Sequence, residues 1–158
     1  MNPTLKTNRD FESLSIPLEE DEQMELENSL IQNGCREPVI VWNGTILDGH
    51  KRYKFCSREK IGYEVKEMDF PSRYDAICWV CRTKLGQFEK NTVVYRYLIG
   101  RLFGASKNIF LRLRNCQRQK KDGSLEWKQN LTAGEIAKEY EIDMATVSRY
   151  PILMLPFI

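Results

Sequence analysis

The chain has 158 residues, a 42% hydrophobic fraction and a formal charge of +2 from 24 basic and 22 acidic residues. That length holds one modest domain, or one domain with a small module attached, and the composition suits a soluble globular protein. No apolar run is long enough to span a bilayer and none at the N-terminus resembles a signal peptide, so the expectation is a cytoplasmic protein with no membrane partner and reduced cysteines.

Charge is spread unevenly. Residues 10–37 are strongly acidic, with Arg36 the one base, whereas 101–121 carry Arg101, Lys107, Arg112, Arg114, Arg118, Lys120 and Lys121 and no acid. Such asymmetry suits either a polyanion-binding end or a solvated helix face.

In chain order, Ser15-Ile16-Pro17 closes a short extended stretch. "LEEDEQMELENSLIQNG" then reads as a helix. Its acids crowd the first turns, Met24, Leu26, Leu30 and Ile31 form an apolar stripe, and Gly34 stops it. "PVIVW" reads as a buried strand, Asn43-Gly44 as a hairpin turn and "TILD" as the returning strand. "GHKRYKFCSREKIG" reads as a helix closed by Gly62, with Tyr53 and Cys56 on one face. "YEVKEMDF" alternates like a half-buried strand. Two further helices are expected. One is "SRYDAICWVCRTKL", with Ala76, Ile77, Val80 and Cys81 inward; the other is "NTVVYRYLIGRLFG", ending near Gly104. Cys78 and Cys81 form a C-x-x-C, but a zinc site needs a second ligand pair, and His50 is the chain's one imidazole. No metal site and no zinc are expected.

The polar cluster at Asp48-Gly49-His50-Lys51-Arg52, where strand gives way to helix, is the chemically informative stretch. A helix N-terminus presents unpaired N–H groups, and Gly49 would let a phosphate approach the backbone. His50, Lys51 and an exposed Arg52 add cationic donors. The alternative is a helix cap by Asp48 with solvated bases.

The segment "LIQNGCREPVIVWNGTILDGHKRYKFC" resembles the ParB N-terminal domain of the ParB/sulfiredoxin superfamily, and is similar to its DGH-x-RY subgroup of plasmid and mobile-element members. The resemblance covers roughly 14–104. It places Gly49 and Arg52 on the family's phosphate-binding motif and Tyr53 on its aromatic position. It implies a nucleoside triphosphate with Mg2+ held by Gly49, His50, Lys51, Arg52 and Tyr53. Partition-type members carry an Asn and an Arg that complete the nucleotide site; the matching region here is "TKLGQFEKN", with Lys84 and Gln87 at those positions. Sulfiredoxins place a nucleophilic Cys where this chain has Gly49, so sulfiredoxin chemistry is not expected.

"LTAGEIAKEYEIDMATVSRY" resembles a helix-turn-helix. Thr132 and Glu135 suit a capping box, Ile136, Ala137, Tyr140, Ile142 and Val147 a small core, and Glu141 occupies the turn in place of Gly. The second helix would present Met144, Thr146, Ser148 and Arg149 to DNA, with Arg112, Arg114, Arg118, Lys120 and Lys121 adding phosphate contacts. Pro151 limits that helix to about two turns.

The expected fold is therefore α+β: a small ParB/sulfiredoxin-like domain over 10–104 with a β-hairpin and flanking helices, a basic connector over 105–130, a helical DNA-binding module over 131–150 and an apolar tail over 151–158. The expected partners are DNA, a nucleotide and a second copy of the chain as a homodimer. The expected function is DNA binding in plasmid or mobile-element partition, replication control or transcription regulation. The alternative is a nucleotide-dependent kinase of a small hydroxyl substrate, with Asp48 and Glu37 as catalytic acids. A nuclease and a pure interaction protein rank below these, the first because no paired carboxylate cluster for two metals is visible.

Overall fold

A computed structural model describes residues 3–90, 92–117 and 132–149. Two compact units divide at Phe70/Pro71.

The first unit runs α1 (Arg9–Glu12), α2 (Glu20–Asn33), β1 (Val39–Trp42), β2 (Thr45–Asp48), α3 (His50–Glu59) and β3 (Val65–Glu67). Its sheet has the order β2-β1-β3, antiparallel between β1 and β2 and parallel between β1 and β3. The hairpin turns at Asn43 (φ 49°) and Gly44 (φ 69°), both left-handed as a tight two-residue turn with matching twist requires.

The hairpin register changes within four residues. Trp42 faces Thr45 and Val41 faces Ile46, but Ile40 faces Asp48, leaving Leu47 as the extra residue of a bulge. Ile46 joins Val39 and Val41 in one cluster, and both Ile46 and Leu47 are fully buried. Burial of two such side chains stabilises the unit by about 2 kcal/mol each. α3 then packs two ways. Tyr53 leans on the sheet cluster of Val39, Val41 and Ile46, and Phe55 and Cys56 meet Leu30 of α2.

Several expectations change here. The stretch before Pro17 is not simply extended: α1 begins at the Asn8 cap and buries Phe11, with Leu14 just beyond it. The apolar stripe of α2 is narrower than expected. Leu30 is buried, but Met24 and Ile31 are 58% and 65% exposed, because the helix meets the domain mainly through α3. β3 is three residues long and exposed throughout, an edge strand rather than a half-buried one. α3 stops at Lys60, whose φ of 57° takes the left-handed role expected of Gly62.

The second unit is helical: α4 (Arg73–Leu85), α5 (Val93–Gln117), α6 (Ala133–Glu139) and α7 (Met144–Arg149). Ser72 caps α4, whose buried face comprises Ala76, Ile77, Cys78, Val80, Cys81 and Leu85. α5 answers with Tyr95, Leu98, Ile99, Leu102 and Ala105. It does not end near Gly104. Ala105 and Ser106 are still buried, and one glycine costs a helix only about 1 kcal/mol. Residues 105–117 of the expected connector are therefore helical; 118–131 and the tail 151–158 lie outside the described residues.

α6 starts at the Thr132–Glu135 capping box. Glu135 N–H donates to Thr132 Oγ1 at 3.3 Å, and Thr132 N–H donates to Glu135 Oε2 at 2.6 Å. Those bonds hold the Glu135 carboxyl below the usual carboxylate range. Ile136, Ala137 and Val147 are buried between α6 and α7, and Tyr140 stacks edge-on against Tyr95 of α5. Glu141 turns the chain in left-handed geometry (φ 53°) and pairs with Lys90 at 2.6 Å.

Lys60 gives a direct test of the helix stop. Its backbone is left-handed, which disfavours any side chain with a Cβ by roughly 1–2 kcal/mol. Lys60→Gly is expected to raise stability by up to about 1 kcal/mol, read as a higher urea midpoint at unchanged slope. A midpoint that falls would show that the Lys60 side chain contributes more than the strain removes.

Candidate functional site

The strand-to-helix turn is built by one residue. Gly49 has φ +90° and ψ 20°, and it directly precedes His50, the first residue of α3. A Cβ there would sit 3.2 Å from Arg52 Nη2 and 3.4 Å from the Val39 Cα. Gly49 is thus fixed both by its backbone angle and by close approach of a neighbouring strand. The Arg52 guanidinium lies over this turn.

Arg52 is the centre of the cluster. Its Nη1 is 2.9 Å from Glu37 Oε2, its Nη2 is 3.6 Å from Asp48 Oδ2, and Nη2 also reaches the Pro38 carbonyl at 3.5 Å. Its buried Nε has no hydrogen-bond partner. The side chain is 20% exposed, against 76% for Glu37 and 31% for Asp48. The expectation of an exposed Arg52 is corrected: a link-borne carboxylate and the last residue of β2 hold it down. Asp48 and Arg52 are brought together across the Gly49 turn, from the end of β2 and the first turn of α3, while Glu37 arrives from the link between α2 and β1.

The other residues of the motif turn elsewhere. His50 is buried in the first turn of α3. The Lys51 ammonium donates to the Ile16 carbonyl, which ties α3 to the segment before α2. Tyr53 Oη accepts from Leu5 N–H at 3.2 Å and its ring meets Tyr63 edge-on at 5.8 Å. Gly49, Arg52, Asp48 and Glu37 therefore converge, whereas Lys51 and Tyr53 anchor the N-terminal segment.

That anchoring escaped the sequence reading. Lys6 bridges to Thr45 in parallel, with Ile46 N–H donating to the Lys6 carbonyl at 2.9 Å. Lys54 pairs with Glu12 at 2.6 Å, and its hydrogen bond holds the Glu12 carboxyl below the usual range. The one available signal was Phe11 and Leu14, apolar residues in a polar N-terminal stretch.

On α7, Met144 is 58% exposed, Arg149 is exposed and Thr146 is half-buried; Ser148 lies on the same helix. Thr146 N–H donates to Asp143 Oδ2 at 3.2 Å, so Asp143 caps α7. Arg112 and Arg114 lie on α5, and Arg118, Lys120 and Lys121 lie outside the described residues.

Gly49→Ala tests the turn. It imposes left-handed strain and crowds the Arg52 guanidinium at 3.2 Å, so it is expected to destabilise the fold by about 1–3 kcal/mol in urea unfolding. A midpoint equal to wild type would mean that the turn is not strained as described.

No protein-family model matches the chain, and no curated protein matches it. Solved structures do. One is a C2221-form structure of a pNOB8-like ParB N-domain, with TM-score 0.58 and 18% identity, covering 96% of this chain and 66% of that one. Another is a pNOB8-like ParB N-domain with TM-score 0.59 and 18% identity, covering 97% of this chain and 62% of that one. The chain thus spans somewhat under two thirds of the length of each. Its α+β architecture, a three-stranded sheet with flanking helices, is the fold of a ParB N-domain.

Proposed function

We propose that the chain is a DNA-binding ParB-like protein, acting in partition, replication control or transcription regulation, with a nucleotide-phosphate site at the Gly49 turn. The observation that carries this reading is the likeness of nearly the whole chain to ParB N-domains, combined with a glycine turn under an arginine. At 18% identity the likeness speaks for the fold, and the function is inferred from the sites placed upon it.

The turn fits a phosphate in two respects. Gly49 leaves the backbone open where a Cβ would intrude, and Arg52 offers a buried Nε with no partner. The flanking Glu37 and Asp48 carboxylates oppose a bare anion but suit one that brings a divalent cation. A nucleoside triphosphate with Mg2+ matches that mixture of charges better than inorganic phosphate does. Gly49 and Arg52 would hold phosphate oxygens, and Asp48 and Glu37 would face the cation.

DNA binding is assigned to the second unit. Two short helices, α6 and α7, joined through the left-handed Glu141 support a helix-turn-helix reading, in which Met144, Thr146, Ser148 and Arg149 of the second helix would face DNA. The basic residues from Arg101 onward add contacts to phosphates. The kinase reading draws on a separate observation, the pairing of Glu37 and Asp48 around one arginine. Titration of the purified chain with duplex DNA and with labelled nucleotides separates the two, because a small-molecule kinase would bind the second and not the first.

Two outcomes follow from this proposal. DNA affinity is expected to fall steeply and linearly on a log–log plot as salt rises, through counterion release. Affinity that stays flat, or no binding at low salt, removes the DNA reading. Arg52→Ala is expected to weaken nucleotide binding by about 1.5–3 kcal/mol, the range for a charge-assisted hydrogen bond. Urea unfolding of the same variant reports separately on the loss of its pairs with Glu37 and Asp48. Wild-type nucleotide affinity in a folded Arg52→Ala protein removes the phosphate assignment.

A further inference from the structure

Five cysteines are present in the chain. Cys78 and Cys81 lie on one helix in the core of the second unit, where the Cys78 sulfur sits 3.6 Å from Ser106 Oγ. Burial pushes the Cys81 thiol up to about 12, which suppresses its thiolate. The other described pair is differently placed. Cys35 follows Gly34, which ends α2, and is half-buried; Cys56 is on α3 and fully buried. They come from separate elements and meet in one cluster with Leu30 and Phe55. The Cys35 sulfur donates to the Glu37 carbonyl at 3.3 Å, and Cys35 packs against the cluster that holds Cys56.

We propose that Cys35 and Cys56 form a redox dithiol that closes to an intrachain disulfide when a hydroperoxide oxidises the more accessible Cys35 sulfur. The Cys35 thiolate attacks the peroxide O–O bond, gains a hydroxyl as sulfenic acid and releases an alcohol, or water from hydrogen peroxide. The Cys56 sulfur then attacks the Cys35 sulfur. Its proton leaves with that hydroxyl as water. The two thiols lose two electrons in total and the peroxide gains them. Burial pushes the Cys56 thiol up to about 11, so the half-buried Cys35 rather than Cys56 meets the peroxide first.

The bond would have a structural effect at the Arg52 cluster. Cys56 is one helical turn beyond Arg52, and Cys35 is two residues before Glu37 and three before Pro38, both of which contact Arg52. A disulfide would therefore clamp the link carrying Glu37 onto the helix carrying Arg52, closing a loop of about 20 residues. This inference holds whether or not the turn binds a nucleotide.

The full chain, reduced and freed of reductant, would be exposed briefly to stoichiometric hydrogen peroxide, then denatured and alkylated for mass spectrometry. The expected result is loss of two of the five reactive thiols, reversal by a thiol reductant, and a tryptic cross-link joining the Cys35 and Cys56 peptides. Cys35→Ser, a change at a half-buried position, is expected to keep all its remaining thiols reactive under the same treatment. The inference is overturned by retention of five reactive thiols, by a sulfenic or higher acid persisting on Cys35, or by a cross-link joining other cysteines or two copies of the chain.

Discussion

The first unit depends on how the chain passes from β2 into α3 through a single residue. Gly49 must be left-handed, and a Cβ on it would lie 3.4 Å from the Val39 Cα and 3.2 Å from the Arg52 guanidinium. Those demands fix the start of α3 against the sheet. Once that start is fixed, Arg52 folds back over the turn to Asp48, and helical periodicity delivers Tyr53 to the sheet and Cys56 to Leu30. The fold and the proposed phosphate site therefore share one origin, a backbone position that no residue with a Cβ occupies without strain.

Charge at the turn is balanced locally. One guanidinium is shared by two carboxylates and a carbonyl oxygen, and the more exposed carboxylate, Glu37, makes the shorter contact. An ion pair with an exposed partner is worth little in water and exchanges readily. Asp48, less exposed and at the end of a strand, lies farther off at 3.6 Å. The arrangement keeps Arg52 oriented while leaving one of its contacts open to competition from another anion.

Sequence reading recovered what local chemistry determines. Asn43-Gly44 announced the hairpin because few other pairs accept two successive left-handed residues, and Thr132 with Glu135 announced the start of α6. The buried face of α4 followed from apolar spacing alone. Glu141 stands at a turn where glycine is usual, and it adopts the left-handed geometry that the turn requires. Features decided by distant partners were not legible. The Lys6–Thr45 bridge, the Tyr53–Leu5 hydrogen bonds and the Glu37–Arg52 pair join residues whose separation carries no local signal. The length of α5 is not legible for a different reason: Gly104 reads as a helix stop, and continued burial at Ala105 and Ser106 outweighs it. At the site, position along the chain suggested that five consecutive motif residues act together, whereas the helix sends Lys51 toward Ile16 and Tyr53 toward Leu5.

The bulge at Leu47 also bears on how the hairpin can diverge. Because one unpaired residue separates the Val41–Ile46 pair from the Ile40–Asp48 pair, the hairpin has an odd offset between its tip and its base. Deleting a residue from β2 would erase the bulge and take Asp48 out of line with Ile40, and adding one would do the same in the other direction, moving Asp48 away from Arg52. Changes of length are thus excluded from this stretch by geometry, while changes of side chain are not. Relatives should align from Val39 to Gly49 without gaps even where little identity survives, and in any such alignment column 47 should tolerate apolar residues of several shapes while column 49 should hold glycine.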